Sequence, residues 1–375
     1  MKISYIATST IPGMAANSVH VMKMCEAFRE NQVDISLIIP KFRDQRIKQD
    51  EYSYYGIREN FNIIRTGFRK PPQGIWNILF ALLAIRKACT LKTDLIYTRS
   101  PLAARLLALG KKKFIFEYHG IEFSRFYSQE KIFSASNLTA FVVITHSLKN
   151  YYIKKYGIDP EKIVVLPDGV NIKEYDYSND EILKKDTLNI AYVGGLYQGR
   201  GIDIVIELAK QDKKNNYLVA GGRPEQVAYW EKELEKASLE KKNIKFLGQI
   251  PNAQVPALLA KQDILLMPYQ KKVGMNGTED TAKWMSPMKM FEYMASGRVI
   301  ISSRLPVLEE ILHDKENAYL VEPNDIKQWL TAIERIDRKR NEARDIATRA
   351  SADVKQYAWI NRALKIIKIV EAVSK

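Results

Sequence analysis

The sequence predicts an α/β protein of two lobes, each a parallel β-sheet wrapped by helices. Three observations carry this. The 375 residues exceed one ordinary α/β domain and suit two. Short β-branched or aromatic runs alternate with longer amphipathic stretches, as in sheets covered on both faces. The alternation runs twice and halts near 173–187, where Tyr175-Asp176-Tyr177-Ser178-Asn179-Asp180-Glu181 lacks apolar periodicity and reads as a linker.

In chain order, strands are expected at 2–8, 33–40, 95–98, 114–118, 141–145 and 163–167. A helix is expected at 18–29, its apolar face set by Val19, Met22, Met24 and Phe28, with Asn17 or Ser18 as its cap. The second series places strands at 189–193, 217–220, 244–247, 264–267, 299–302 and 319–321. Helices intervene, for example at 225–237 and 253–261. The last stretch, 353–375, is helical through Val354, Tyr357, Trp359, Leu364, Ile367 and Val370. Domains are therefore expected at 1–172 and 186–354.

Composition narrows the classes. At 46% hydrophobic and 27% charged residues the chain is globular rather than disordered. Its two cysteines, Cys25 and Cys89, fall in helical segments, which fits a reducing compartment and no disulfide framework. The N-terminus reads as a strand, not a signal peptide. The longest apolar run, 75–85, is about half of the ~20 residues that a spanning helix needs and contains Asn77. A cytoplasmic protein is expected.

The net charge is +15. Most of the excess lies in 41–113, which holds 16 Lys/Arg and 5 Asp/Glu. Phe68-Arg69-Lys70, the 75–85 run, Arg86-Lys87 and Lys111-Lys112-Lys113 share that stretch. A basic surface beside an exposed apolar face suits an anionic membrane, here the inner face. A solvated basic face over a buried helix, or nucleic-acid contact, would give the same composition; no nucleic-acid partner is expected.

Ligands in open parallel sheets bind past the carboxyl ends of the strands, so the residues after each strand are the candidates. Gly13, in the loop after the first strand, permits close backbone approach. His119-Gly120 follows the fourth expected strand, where an imidazole could donate to a substrate oxygen or a developing charge. Val193-Gly194-Gly195-Leu196-Tyr197-Gln198-Gly199-Arg200-Gly201 is a glycine-rich loop with a cation before a helix, suited to a diphosphate. It lacks the P-loop spacing. Gly221-Gly222 follows the next strand and is a turn or a nucleotide contact. Ser286-Pro287-Met288-Lys289-Met290-Phe291-Glu292-Tyr293-Met294-Ala295-Ser296-Gly297 is a short helix with Pro at its start, Gly at its end and one carboxylate among apolar neighbours. That carboxylate needs partners, and ribose hydroxyls would serve.

This last segment resembles the donor-site motif SPxKxFEYMAxG of the family 4 (group 1) glycosyltransferases. Leu166-Pro167-Asp168-Gly169-Val170-Asn171 resembles the family's xPNGVD turn, and residues 191–203 its YVGxLxxxKGxD strand and loop. The resemblance implies the GT-B fold: two Rossmann-like lobes with a deep cleft between them, the final helix (355–375) crossing back to the first. It implies a retaining transfer from a nucleotide-diphosphate sugar to a hydroxyl of a glycan or lipid-linked acceptor, in cell-surface polysaccharide synthesis, with no cofactor and no essential metal. The chain contains no Asp-x-Asp.

By the same resemblance Glu292 binds the ribose. Backbone N–H groups around Ser286, Pro287, Met288 and Lys289 hold phosphate or sugar. His119 meets the donor sugar, and Gly13 lets the first loop approach the diphosphate; Gly195 and Gly221, in the loops after the second series' first two strands, are counted among the expected donor-binding positions. Arg200 stands where the family has a phosphate-binding Lys. Two departures follow. Trp284 replaces the first of the family's two glutamates, leaving Glu279 or Asp280, with Glu279 favoured, to reach the sugar from a loop. Gly195 replaces a common Arg, which leaves Arg200 and Lys289 as the cations. His119, Glu279, Arg200 and Lys289 are thus the expected catalytic set. The alternatives are a catalytically weak nucleotide-sugar-binding scaffold and a GT-B sugar-nucleotide epimerase.

Overall fold

The structure, a computed structural model, describes residues 1–58, 60–67, 74–121, 129–175, 182–236, 243–275 and 279–374. It divides into two compact units, Met1–Asp168 with Ala358–Lys375, and Gly169–Tyr357.

The first unit is built on seven strands: β1 (Lys2–Ile6), β2 (Asp34–Pro40), β3 (Asn62–Thr66), β4 (Leu95–Thr98), β5 (Phe114–Glu117), β6 (Leu138–Val143) and β7 (Ile163–Val165). They form one parallel sheet in the order β3-β2-β1-β4-β5-β6-β7. The order reverses between β1 and β4, the switch point at which open α/β sheets hold ligands. β3 is absent from the sequence reading. It is a half-exposed edge strand with only Ile63 and Ile64 apolar, so it carries no buried-strand signal. The first helix runs Ala16–Glu30 with Ala15 at its N-cap and no side-chain cap. The Ser18 hydroxyl, expected as a cap, instead donates to the Thr10 carbonyl at 2.8 Å.

The C-terminal helix, Trp359–Ser374, packs on helix Ala16–Glu30 and on β6, within this first unit. A 3₁₀ turn, Val354–Tyr357, separates it from the helix Arg340–Asp353, so the expected single helix is broken at the unit boundary.

The apolar run falls in helix Ile75–Thr90. Phe80, Ala81, Ala84 and Ala88 face the core, while Ile75, at 64% exposure, Ile78, Leu82 and Leu83 face solvent. The exposed side of this helix is therefore apolar from Ile75 to Leu83, about two and a half turns, and continues to the exposed Arg86 and Lys87. Leu109, at 70%, with Lys111 and Lys112, is exposed after the neighbouring helix Pro101–Leu107. Arg69 and Lys70 lie outside the described residues. Among those described, no helix is long and apolar enough to cross a membrane.

The second unit holds β8 (Asn189–Val193), β9 (Asn216–Ala220), β10 (Ile244–Gly248), β11 (Ile264–Met267), the two-residue antiparallel pair β12 (Gly274–Met275) and β13 (Glu279–Asp280), β14 (Val299–Ser303) and β15 (Tyr319–Val321). Its parallel sheet runs β10-β9-β8-β11-β14-β15, again with a switch point, between β8 and β11. Alternate residues feed cores on the two faces. Ile190, Val219, Leu266 and Ile301 lie with Trp329 on one side, and Ala191, Leu265 and Ile300 with Phe291 on the other. The stretch read as a linker belongs to this unit: Tyr175, Ile182 and Leu183 are buried in its cores, and 176–181 lie outside the described residues.

Candidate functional site

In the first unit the candidate residues gather past the carboxyl ends of β1, β4 and β5. Glu117 is the last residue of β5 and its side chain is fully buried. His119, two residues on, returns to the same side of the chain. Its Nε2 lies 2.6 Å from Glu117 Oε1, and its Nδ1 lies 3.1 Å from a terminal nitrogen of Arg99, the residue after β4. His20, in the helix after β1, lies with Nδ1 2.7 Å from Asp168 and Nε2 2.9 Å from Glu117 Oε1. Its ring meets those of His119 and Trp359 edge-on, both at 5.0 Å.

The second oxygen of Glu117 accepts from Tyr97 and from Arg362, at 3.1 Å. Arg362 comes from the C-terminal helix and also donates to the carbonyls of Pro167 (2.9 Å) and Leu166 (3.1 Å).

A carboxylate taken out of water stays ionised only with such partners. Burial pushes the Glu117 carboxyl up. The Arg362 charge, His20 and the His119 hydrogen bond outweigh it and hold the group well below the usual range. Burial, then the Arg99 charge, bring the His119 imidazole down to about 4 against the pull of Glu117, so it is neutral near pH 7. His20, Glu117 and His119 present ligand atoms within 4.8 Å of one another. Arg362 at 3.1 Å and Arg99 at 3.8 Å bear on the same carboxylate, so a metal cation there would meet two guanidinium groups. The trio fits an internal ion-pair network rather than a metal centre.

Gly13 sits in the loop after β1. The Tyr55 hydroxyl accepts from its N–H and donates to its carbonyl, both at 2.7 Å. A Cβ there would stand 2.4 Å from the Thr10 carbonyl oxygen, so the loop's own packing demands glycine.

In the second unit, helix Met288–Ala295 starts after Pro287 at the N-cap, with Ser286 buried before it and Gly297 in the left-handed region after it. Lys289, in its first turn, places Nζ 3.7 Å from the centre of the Tyr192 ring at the end of β8 and 5.3 Å from that of Tyr269, two residues past β11. Arg200, beside the N-cap of helix Ile202–Gln211, lies 5.0 Å from the same Tyr269 ring and donates to its hydroxyl at 2.8 Å. Two cations thus rest on one tyrosine. Lys289 Nζ and Arg200 Nε are buried and have no hydrogen-bond partner. Burial, and then the Arg200 charge, push the Lys289 ammonium well below its usual range, with Glu292 opposing.

Gly194 makes room for that ammonium, since a Cβ there would stand 2.4 Å from Nζ. A Cβ on Gly195 would strike the Tyr197 ring, and one on Gly221 the Gly194 carbonyl. Half-buried Glu292, one turn beyond Lys289, acts electrostatically on Lys289 and Tyr269. Glu279 lies in the strand β13 rather than in a loop, paired with Met275, and its side chain is outside what is described.

The sequence-predicted residues divide between two sites. Lys289, Arg200, Glu292 and the Gly194-Gly195 loop assemble in the second unit, and His119 and Gly13 belong to the first. Sequence reading missed Glu117, Arg99, His20, Asp168 and Arg362 around His119, and the tyrosines 192 and 269. One signal was available: Asp168 stands where the family turn has Asn, and a buried charge there requires a partner, which is His20.

Residues 18–174 match the model described as Glycosyltransferase Family 4, and residues 187–338 the model described as Glycosyl transferases group 1. The chain is 22% identical over 250 residues to the gpi3 subunit of phosphatidylinositol N-acetylglucosaminyltransferase of Schizosaccharomyces pombe, covering 64% of the chain and 50% of that protein. It is 26% identical over 198 residues to the O-antigen chain mannosyltransferase RfbU of Salmonella typhimurium, 52% of the chain and 50% of that protein. The chain spans about half the length of these curated relatives. Among solved structures, Anabaena Alr3699/HepE in complex with UDP superposes with a TM-score of 0.73 at 17% identity, over 99% of this chain and 100% of that one. The fold is the GT-B fold that the sequence motifs implied.

Proposed function

We propose that this chain, which belongs over both of its halves to the family 4 (group 1) glycosyltransferases, moves a sugar from a nucleotide diphosphate to a hydroxyl of a glycan or lipid-linked acceptor. The transfer is retaining and needs no metal. The second unit holds the donor. What carries this reading is the pair of buried, unpartnered cation nitrogens of Lys289 and Arg200 beside the glycine-rich loop after β8. They supply the positive charge that a leaving diphosphate needs as the glycosidic bond breaks. The helix start at Pro287–Lys289 adds backbone dipole of the same sign, and Glu292 takes the ribose. The first unit takes the acceptor. The named relatives act on phosphatidylinositol and on an O-antigen chain, which supports a lipid or polysaccharide acceptor.

A thermal-shift panel of UDP-, GDP-, ADP- and TDP-sugars without added metal tests the donor site. A ligand at a hundredfold excess over its Kd stabilises by about 2.7 kcal/mol. A shift with one base, lost in Lys289→Ala and Glu292→Ala, is expected. Binding without turnover on any glycan or lipid-linked acceptor would instead favour the scaffold reading.

The exposed Ile75, Ile78, Leu82 and Leu83, ending in Arg86 and Lys87, favour work at an anionic membrane surface, the cytoplasmic inner face. Flotation with anionic but not neutral vesicles is expected, and should be lost in Ile78→Glu/Leu82→Glu. Equal flotation of the variant would remove this surface.

A further inference from the structure

We propose that Glu117 is a positioning residue that holds the His119 imidazole in its Nε2–H tautomer. Arginine has only N–H donors. A guanidinium nitrogen 3.1 Å from His119 Nδ1 therefore requires a lone pair on that nitrogen. The ring proton must sit on Nε2, which donates to Glu117 Oε1 at 2.6 Å. Both nitrogens are then used inside the protein. A proton added at Nδ1 would point at a donor of Arg99.

Glu117 can impose this orientation because it is itself immobilised. Its Oε2 accepts from Tyr97 and Arg362, and Arg362 is fixed on two backbone carbonyls. Among the described residues, Glu117 from β5, Arg99 after β4 and His20 from the first helix meet the imidazole, while Arg362 from the last helix bonds Glu117 and Asp168 at the unit's end bonds His20. The His20 ring packs edge-on against one side.

The consequence for sugar transfer rests on the transferase reading above; the tautomer does not. The chain has four histidines, which makes selective ¹⁵N-histidine labelling tractable. Nitrogen chemical shifts of the wild type are expected to show His119 as the neutral Nε2–H form from pH 8 to pH 5. Glu117→Gln should lose that form, and Arg99→Met should keep it. In a transferase assay Glu117→Gln should lower kcat on the order of 10- to 100-fold through misplacement of the ring, with the donor KM little changed. A wild-type His119 that carries its proton on Nδ1, or that titrates at an ordinary midpoint, would overturn the proposal without any variant. Loss of the tautomer in Arg99→Met, or an unchanged tautomer in Glu117→Gln, would also overturn it. If no donor or acceptor turns over, the transferase reading falls and the nitrogen shifts still decide the role of Glu117.

Discussion

The space above Gly194 gives the sharpest test of the proposed donor site. A Cβ on Gly194 would stand 2.4 Å from Lys289 Nζ and 2.6 Å from Lys289 Cε. Non-bonded heavy atoms settle near about 3.5–4.0 Å, so in Gly194→Ala the ammonium must retreat by about 1 Å or more from its seat over the Tyr192 ring. The bulky neighbour is the far end of a flexible side chain, so the fold tolerates the change and the cation's position does not. A charge-assisted hydrogen bond lost to phosphate is worth about 1.5–3 kcal/mol, or roughly 10- to 150-fold in Kd. Calorimetric titration with UDP, GDP and ADP on the wild type, Gly194→Ala, Lys289→Ala and the double variant reads the coupling. Each single change should weaken binding, and the double variant should bind no worse than Lys289→Ala. Gly194 has φ +155, so alanine also strains the backbone, but that strain is common to both backgrounds and drops out of the cycle. Wild-type affinity in Gly194→Ala, or additive losses in the double variant, would refute the claim that this glycine exists to seat the lysine.

Three further outcomes follow from the same geometry. Tyr269→Phe keeps the ring beneath both cations but removes the hydroxyl that holds Arg200 at 2.8 Å; diphosphate affinity should fall by roughly threefold to tenfold, and an unchanged titration would show Arg200 held by other means. Gly13→Ala pushes a methyl to 2.4 Å from a backbone oxygen, so thermal melting should report a loss of about 1–3 kcal/mol; wild-type melting would mean the loop yields freely. The folded His119 imidazole titrates at about 4 and the unfolded one near 6.5, so the unfolded chain takes up its proton first and acidification favours unfolding. Between pH 7 and pH 5 this ring should cost about 2 kcal/mol of stability, a window that lies above the range where the depressed Glu117 carboxyl adds its own acid lability. Urea midpoints should therefore fall more steeply in the wild type than in His119→Asn over that window, and parallel profiles would contradict the burial argument.

How far the sequence could be read follows from the range of each interaction. Eleven of the twelve expected strands overlap their observed positions closely because buried parallel strands write near-continuous apolar runs, as Ile-Leu-Leu-Met in β11 does. β6 overlaps too but begins three residues early, at Leu138, and β3 left no such trace. The short helix with Lys289 and Glu292 was legible through its flanking Pro287 and Gly297, whose backbone preferences are local. The surroundings of His119 were not. Glu117 and Arg362 are 245 residues apart, His20 and Asp168 are 148 apart, and no periodicity or spacing records such pairs. The order of the sheet, which places β1, β4 and β5 side by side, and the packing of the last helix on the first bring them together.

The two sites differ in the balance of their charges, and this favours the second for the proposed anion. Around His119 the carboxylates of Glu117 and Asp168 face the guanidinium groups of Arg99 and Arg362, and the intervening imidazole of His119 is neutral. An added negative charge would be repelled there by two carboxylates already in place, although one terminal nitrogen of Arg99 is also buried without a hydrogen-bond partner. In the second unit, two cations share one tyrosine, with buried nitrogens that no described partner satisfies. Tyrosine faces hold them in place without cancelling their charge, as a carboxylate would. Burial raises the cost of leaving them so, and the proposed diphosphate, arriving between Lys289 and Arg200, would relieve it by supplying acceptors and opposite charge together. A nucleotide reduced to its nucleoside offers neither, so it should shift the melting temperature far less than the diphosphate does.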